Sequence, residues 1–168
     1  MSDIHVRNVL ISDAQAILSI YEPYVEKTAI SFEIEVPSVD EMANRITKYT
    51  QTHPYLVAVL NDKVVGFAYA APFSPREAYQ YSSEVSIYIA EDIKYQGLGG
   101  LLYDALEKKL VASGVVQVIS CITASNIASL NFFERRGFEK AGLIPKIGYK
   151  FEEWHDVAWL IKTINPTN

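Results

Sequence analysis

Apolar and polar residues alternate at the start of the chain and then recur at helical spacing. Residues 3–10 have the period of two that is typical of a half-buried strand, whereas apolar residues between 16 and 24 return every three to four positions. Ser12 stands directly before this stretch and is a suitable N-cap for a first helix. The segment 38–41 (Ser-Val-Asp-Glu) is a capping-box pattern and predicts a second helix. The N-terminal part is therefore predicted to be a strand followed by two helices.

The middle of the chain changes to short runs rich in β-branched and aromatic residues. Residues 55–60 and 64–73 are two such runs, and the polar link between them predicts a hairpin. Residues 84–90 form a third strand, which leads into a glycine-rich turn and a strongly periodic helix. The remaining predicted elements are an apolar strand over 115–123, a helix over 126–136 and two strands up to about residue 163. This order predicts an α/β fold with an antiparallel meander followed by one strand–helix–strand crossover.

Composition indicates one globular domain spanning residues 1–168. Hydrophobic residues make up 49% of the chain and charged residues 21%, which is enough apolar material for a core. A net charge of −5 argues against a general nucleic-acid binder. No apolar run approaches the about 18 residues that a membrane span requires, and no signal peptide is predicted. A single cysteine excludes an internal disulfide, so a cytoplasmic location is predicted, and three scattered histidines give no metal-binding pattern.

The glycine-rich turn is the first indication of chemistry. Gly97, Gly99 and Gly100 stand directly before a helix, where closely approaching backbone N–H groups and the helix start favour an anion such as a phosphate. A P-loop is excluded because leucine follows Gly100, and a Rossmann fingerprint is excluded because Leu102 occupies the position of its third glycine. On the glycines alone, a plain turn is an equally good interpretation.

Two motifs resemble those of the GNAT N-acetyltransferase superfamily. The segment 94–99 (KYQGLG) is similar to its pyrophosphate-binding loop, and 126–138 (NIASLNFFERRGF) is similar to its second signature. Further segments resemble the phosphinothricin and methionine sulfoximine acetyltransferases, namely 31–32, 72–79, 83–89 and 154–157. The resemblance covers essentially the whole chain. It implies the GNAT acyl-CoA N-acyltransferase fold, in which helices flank a mixed, mostly antiparallel central sheet.

The resemblance also implies an activity. The expected enzyme transfers an acetyl group directly from acetyl-CoA, as co-substrate, to the α-amino group of a small amino acid or an analogue such as phosphinothricin, methionine sulfoximine or methionine sulfone. No metal, nucleic-acid or membrane partner is expected, and the resemblance suggests a homodimer. Two alternatives stay open: a protein N-terminus or a polyamine as acceptor, for which Glu33, Glu35 and Glu77 are candidate contacts, or a non-catalytic acyl-CoA-binding module.

Glu84 and His155 are the candidate catalytic residues. A protonated amino group needs a base, and Glu84 begins the strand that leads to the glycine turn, where the resemblance places that base. His155 is the second candidate because histidine titrates near neutral pH. Phe133 stands where many members of the superfamily carry a tyrosine that protonates the leaving thiolate, so the general acid is left unassigned. Cys121 lies in an apolar run and is predicted to be buried in the core.

The binding residues implied by the resemblance form two sets. Arg76 is the expected partner of a substrate carboxylate, because its planar guanidinium matches that group. The candidate substrate-binding residues are Phe32, Arg76, Tyr79, Glu84, Val85 and Ser86. The candidate cofactor-binding residues are Ile87, Tyr88, Ile89, Lys94, Tyr95, Gln96, Gly97, Leu98, Gly99, Gly100, Asn126 and Ser129.

Overall fold

The computed structural model describes residues 3–93 and 95–165. Strands and helices follow one another in the predicted order, so the prediction of a mixed α/β fold is confirmed. The elements are β1 (Ile4–Asn8), α1 (Ala14–Lys27), α2 (Val39–Thr50), β2 (Tyr55–Leu60), β3 (Lys63–Pro72), β4 (Ser82–Ile89), α3 (Leu98–Ala112), β5 (Gln117–Thr123), α4 (Ile127–Arg135), β6 (Glu139–Lys150) and β7 (Glu153–Thr163). Two short 3₁₀ turns, Ile11–Asp13 and Glu77–Tyr79, lie before α1 and before β4.

All the strands belong to one 7-stranded sheet in the order β1-β2-β3-β4-β5-β7-β6. Neighbouring strands are antiparallel except β4 and β5, which are parallel and are connected by α3. The predicted β2–β3 hairpin turns at Asn61 and Asp62, whose φ angles of 49° and 65° are left-handed. Asn and Asp tolerate this conformation better than most residues, which explains their presence in a two-residue hairpin turn.

The helices cover the sheet on both faces. On one face α3 and α4 pack on the central strands, and Leu102, Leu106 and Leu110 of α3 are fully buried there. On the other face α1 and α2 pack over β2 and β3, with Ile17, Ile46 and their apolar neighbours forming a second core cluster. Within 3–93 and 95–165, no helix is long and apolar enough to cross a membrane.

The start of α1 differs from the prediction. Ser12 is not the N-cap, because a 3₁₀ turn comes first and the helix begins at Ala14. The carboxylate of Asp13, only 7% exposed, accepts hydrogen bonds from Arg7 at 2.8 and 2.9 Å and from the backbone N–H of Leu10 at 2.7 Å. Burial by itself would raise the pKa of Asp13, but these hydrogen bonds outweigh it and lower the pKa. An ion pair between β1 and the 3₁₀ turn thus organises this helix start.

Local capping behaves as predicted at α2. The hydroxyl of Ser38 accepts a hydrogen bond from the backbone N–H of Glu41 at 3.0 Å, which satisfies one of the free donors of the first turn. Pattern-based prediction works here because the cap and its partner are three residues apart and need no tertiary contact.

Candidate active site

Within the described residues, β4 and β5 are the only parallel pair of neighbouring strands, and the sheet opens between them. β4 and β5 pair at Ser82, Ser83 and Glu84, and then separate, whereas β4 stays paired with β3 as far as Ile89. The backbone of β4 beyond Glu84 therefore has a side without a strand partner, which faces a cleft of about 280 Å³. Such an edge can hydrogen-bond an extended ligand much as it would bond another strand.

The glycine turn lies beside this cleft. Gly97 is the N-cap of α3 and has a φ of +85°, a left-handed conformation that favours glycine. No side chain caps this helix start, so its first N–H groups can bind an anion. Gly99 lines the cleft against the ring of Phe132, while Tyr95 and Gln96 are exposed before the turn. Lys94 lies outside the described residues.

Six of the predicted cofactor-binding residues line this one cleft. Asn126 and Ser129 lie across it from β4 and also cap α4, because Asn126 accepts a hydrogen bond from the Ser129 N–H at 3.3 Å and donates one to the Ser129 hydroxyl at 2.8 Å. The set is Ile87, Tyr88, Ile89, Gly99, Asn126 and Ser129. The arrangement therefore joins a free strand edge to a helix N-terminus, which suits a long ligand with a phosphate group.

Glu84 lies where β4 and β5 part. It pairs with Ile119, so the alternation of the strands places Cys121 on the same face, with its thiol beside the Glu84 carboxyl group. Burial raises the pKa of Glu84, although the hydrogen bond from Cys121 acts in the opposite direction. A carboxylate with a raised pKa is a better proton acceptor near neutral pH.

The prediction that Cys121 is a buried core residue is wrong. Its side chain is exposed because β5 has no strand partner on the β4 side at this position. Desolvation and the neighbouring Glu84 carboxylate raise the pKa of the Cys121 thiol to about 12. The thiol therefore stays protonated at neutral pH and is a poor nucleophile.

A row of mostly aromatic side chains continues from Glu84 across the same face of the sheet. On β7, Val157 pairs with Thr123 and Trp159 pairs with Cys121, so both side chains lie on the Glu84 face. The Phe73 ring is 5.8 Å from the Trp159 ring and 5.4 Å from the Tyr79 ring, between centroids. At the other end Phe32 lies 6.0 Å from His155. We define the aromatic slot by Phe32, Phe73, Tyr79, Val157 and Trp159.

The loop that carries Phe32 is fastened on three sides. The Thr123 hydroxyl donates to the carbonyl of Ala29 at 2.6 Å, and the ammonium of Lys150 donates to the carbonyl of Ser31 at 2.7 Å. Lys150 is only 4% exposed, so this hydrogen bond is buried. Glu33 accepts a short hydrogen bond from the hydroxyl of Tyr21 and two hydrogen bonds from Arg45, at 2.6 and 3.0 Å. The loop is therefore held in one place over β6 and β7.

The other predicted site residues lie in different surroundings. Arg76 is exposed in the loop between β3 and β4, near Tyr79. Ser86 lies beside the hydroxyl of Tyr69 on the Glu84 face, whereas the side chain of Val85 points into the core on the α3 side. The Nε2 atom of His155 donates to the carbonyl of Lys150 at 3.0 Å, which fixes the ring beside Phe32 at the far end of the slot from Glu84.

Several contacts of the site have no signal in the sequence. Phe73 and Trp159 meet only because the loop after β3 folds over β7, and Lys150 reaches Ser31 across 119 positions of the chain. Tyr24 of α1 also lines the cleft, and its hydroxyl donates to the carbonyl of Ile89 at 2.5 Å. Phe133 lines the cleft without a hydroxyl group and packs against Tyr103 and Phe138. Across the described ranges, no cluster of three or more His, Cys, Asp or Glu side chains suited to a metal ion is found.

The open parallel pair, with a glycine turn at a helix N-terminus beside it, defines the acyl-CoA N-acyltransferase class of fold. Residues 6–159 match the family model described as acetyltransferase (GNAT) domain, and the chain belongs to this family. It is 36% identical to a phosphinothricin N-acetyltransferase of Alcaligenes faecalis, over 95% of this chain and 82% of that protein. It is 32% identical to the L-methionine sulfoximine/L-methionine sulfone acetyltransferase of Pseudomonas aeruginosa, over 96% and 95%.

A solved structure extends the likeness to three dimensions. The phosphinothricin acetyltransferase of Sinorhizobium meliloti in complex with acetyl-CoA superposes with a TM-score of 0.92 at 31% identity, covering 95% of this chain and 88% of that one. The predictions of the GNAT family and of its fold are thus confirmed.

Proposed function

We propose that this protein is an acetyl-CoA-dependent N-acetyltransferase that acts on the α-amino group of a small amino acid or of an analogue of the phosphinothricin or methionine sulfoximine type. The observation that carries the proposal is a partly buried carboxyl group, Glu84, at the point where β4 and β5 part and the free edge of β4 begins. The names of the relatives from Alcaligenes faecalis and Pseudomonas aeruginosa support the same class of acceptor.

The chain supplies a place for each part of the co-substrate. The free edge of β4, from Ile87 to Ile89, bonds the pantetheine arm, and one of its N–H groups polarises the thioester carbonyl. The turn from Tyr95 to Gly100 and the first N–H groups of α3 hold the pyrophosphate. Asn126 and Ser129 border the cleft on the opposite side.

Glu84 acts as the base in direct transfer. The acceptor enters as an ammonium ion, and Glu84, directly or through one water molecule, takes its proton before the nitrogen attacks the thioester carbon. The carbon–nitrogen bond forms and the carbon–sulfur bond breaks, so CoA leaves as a thiolate. The nitrogen then loses its second proton, which balances the proton that the thiolate takes up to give the free thiol of CoA. Since Cys121 stays protonated, no acetyl-cysteine step is needed. The raised pKa of the Cys121 thiol therefore favours direct transfer over an acetyl-cysteine intermediate.

The aromatic slot holds the side chain of the acceptor, and Arg76 pairs with its carboxylate. Arg76 is exposed and stands in the same short loop as Tyr79, one of the slot residues. A planar guanidinium binds a carboxylate with two parallel hydrogen bonds. For a polyamine acceptor the site offers one carboxylate fewer, because Glu33 is already neutralised by Arg45.

The experiment is an acceptor panel with the purified protein. Release of free thiol from acetyl-CoA is measured with methionine sulfone, methionine sulfoximine, phosphinothricin, spermidine and a short peptide, and without any acceptor. We expect release with at least one amino-acid acceptor. Release only with spermidine or the peptide would replace this acceptor class by the alternative one. Binding of acetyl-CoA without release with any acceptor would indicate a non-catalytic acyl-CoA-binding module.

A homodimer and a cytoplasmic location complete the proposal. The β6–β7 hairpin carries a patch of apolar side chains that are between 44% and 62% exposed, namely Leu143, Ile147, Tyr149, Phe151 and Trp154. Exposed apolar side chains concentrated on one hairpin, with Tyr149 packed against Trp154, support an interface with a second copy of the chain. Sedimentation of the wild type as a monomer at micromolar concentration would contradict the dimer. The single cysteine, which cannot form an internal disulfide, supports the cytoplasm.

A further inference from the structure

We propose that Gly148 on β6 is a specificity-determining residue. Its missing side chain leaves the space that the Phe32 ring occupies, so Gly148 sets the length of acceptor that the aromatic slot admits. The inference rests on the proposed function, in which the slot receives the acceptor side chain.

The contact between Gly148 and Phe32 leaves no room for a side chain. Gly148 pairs with His155, which places both on the face of the sheet that also carries Val157. A Cβ atom at position 148 would lie 2.3 Å from Cε2 and 2.6 Å from Cζ of Phe32. Ordinary van der Waals contact begins at 3.4 Å, so the ring would have to move by about 1 Å.

The backbone does not require glycine at this position. The glycines with a positive φ in the described residues are Gly97, Gly114 and Gly137, and Gly148 is not one of them. Position 148 therefore does not carry the left-handed φ that favours glycine. The ring of Phe32 is therefore the feature that a side chain at 148 would meet.

The loop around Phe32 cannot absorb the displacement. Ser31 is held by the hydroxyl of Tyr21 at 2.6 Å and by the ammonium of Lys150 at 2.7 Å, and Glu33 is held by Arg45. Phe32 is 38% exposed, and no hydrogen bond holds its side chain, so the ring is the less constrained part of the residue. The ring must therefore move while the backbone on both sides of it stays in place.

The direction of the movement follows from the neighbours of the ring. His155 stands on one side, with its Nε2 atom fixed to the carbonyl of Lys150 at 3.0 Å. On this proposal the displaced ring lies on the side away from His155, over Val157 and inside the aromatic slot. A larger residue at 148 therefore shortens the slot, which excludes long acceptor side chains and leaves short ones unaffected.

The test compares Gly148→Ala with Gly142→Ala on the same strand. A Cβ atom at position 142 meets nothing within 4 Å, so this control adds the same methyl group without a contact. KM is measured for unbranched 2-amino acids from alanine to norleucine and for methionine sulfone, at saturating acetyl-CoA. We expect Gly148→Ala to raise KM for the longest acceptors by on the order of tenfold and to leave alanine within about twofold. The dissociation constant of acetyl-CoA should not change.

Two further measurements make the test decisive: the same substitution in a Phe32→Leu protein, and an NMR measurement that does not depend on activity. In Phe32→Leu, which removes the ring, Gly148→Ala should have no further effect on KM. The NMR signals of the His155 imidazole, which lies within the ring current of Phe32, should shift in Gly148→Ala and stay in place in Gly142→Ala. An unchanged KM profile in a folded Gly148→Ala protein, or an equal effect in the Phe32→Leu background, would overturn the inference.

The two proposals fail in distinguishable ways. If the wild type acetylates no amino acid, the proposed function falls and the specificity role of Gly148 falls with it. The imidazole signals would still report whether Gly148 positions the ring. If the wild type is active and only the length dependence is absent, the proposed function stands and Gly148 has no role in specificity.

Discussion

Replacing Glu33 by alanine should weaken both the fold and the binding of the acceptor. Glu33 joins α1, the loop that carries Phe32 and α2, because it accepts hydrogen bonds from Tyr21 and Arg45. The side chains of Glu33 and Arg45 are 32% and 31% exposed, so solvent screens the pair only in part. A fully exposed pair contributes about 0.2 to 1 kcal/mol, and buried charged hydrogen bonds contribute about 1.5 to 3 kcal/mol each. For this intermediate case we expect a loss of about 2 kcal/mol in the free energy of unfolding.

Thermal denaturation and steady-state kinetics measure the two consequences. A loss of this size lowers the Tm of a chain of this length by about 4 to 8 °C. Because the loop is loosened, KM for the acceptor should rise while the dissociation constant of acetyl-CoA stays the same. Glu35→Ala is the matched control, since Glu35 is exposed in the same loop.

The dependence on pH supplies a further check. Burial alone would raise the pKa of Glu33, but the hydrogen bonds from Arg45 and Tyr21 lower it overall. Glu33 therefore stabilises the fold above the pKa that it has in the unfolded chain, and this contribution is lost as the pH falls through its folded pKa. The difference in unfolding free energy between the wild type and Glu33→Ala should therefore become smaller as the pH is lowered. Equal Tm values for Glu33→Ala and Glu35→Ala at neutral pH would refute the reasoning.

Three other substitutions test the fold and the glycine turn. Asp13→Asn leaves Arg7 without its counter-charge and should lower the free energy of unfolding by about 3 kcal/mol, measured with urea at neutral pH. The difference from the wild type should become smaller as the pH falls through the lowered pKa of Asp13. A loss below about 0.5 kcal/mol would contradict a stabilising ion pair. Gly97→Ala places a side chain on a residue with a left-handed backbone and should lower the free energy of unfolding by about 1 to 2 kcal/mol. It should also weaken the binding of acetyl-CoA, as measured by calorimetry, whereas the control Gly142→Ala should not. Leu106→Ala opens a cavity in the fully buried core and should cost about 2 to 5 kcal/mol, and a near-neutral result would show that the core closes around the gap.

The order of elements could be predicted from the sequence because its signals are local. Alternation, helical spacing, the Ser38 cap and the Asn61–Asp62 turn all act over a few neighbouring residues. The glycine turn belongs to the same group, since the left-handed φ of Gly97 is a property of its own backbone. These features are visible in a sequence before any tertiary contact is known.

The features that escaped prediction depend on the register of distant strands. Cys121 lies in an apolar run, and only the separation of β4 from β5 exposes it beside Glu84. The aromatic slot requires β7 to pair with β5 so that Trp159 lies opposite Cys121. No local pattern reports such contacts.

The pH dependence of kcat/KM for the amino-acid acceptor, compared between the wild type and Glu84→Gln, tests the central claim most directly. With Glu84 as the base, wild-type activity should fall on the acid side as this carboxylate, whose pKa is raised by burial, becomes protonated. Glu84→Gln should lose on the order of 10² to 10⁴ in rate, and its remaining activity should follow the pKa of the acceptor amine instead. Acetyl-CoA binding should be unchanged. A Glu84→Gln enzyme with nearly the rate and the pH profile of the wild type would contradict the account.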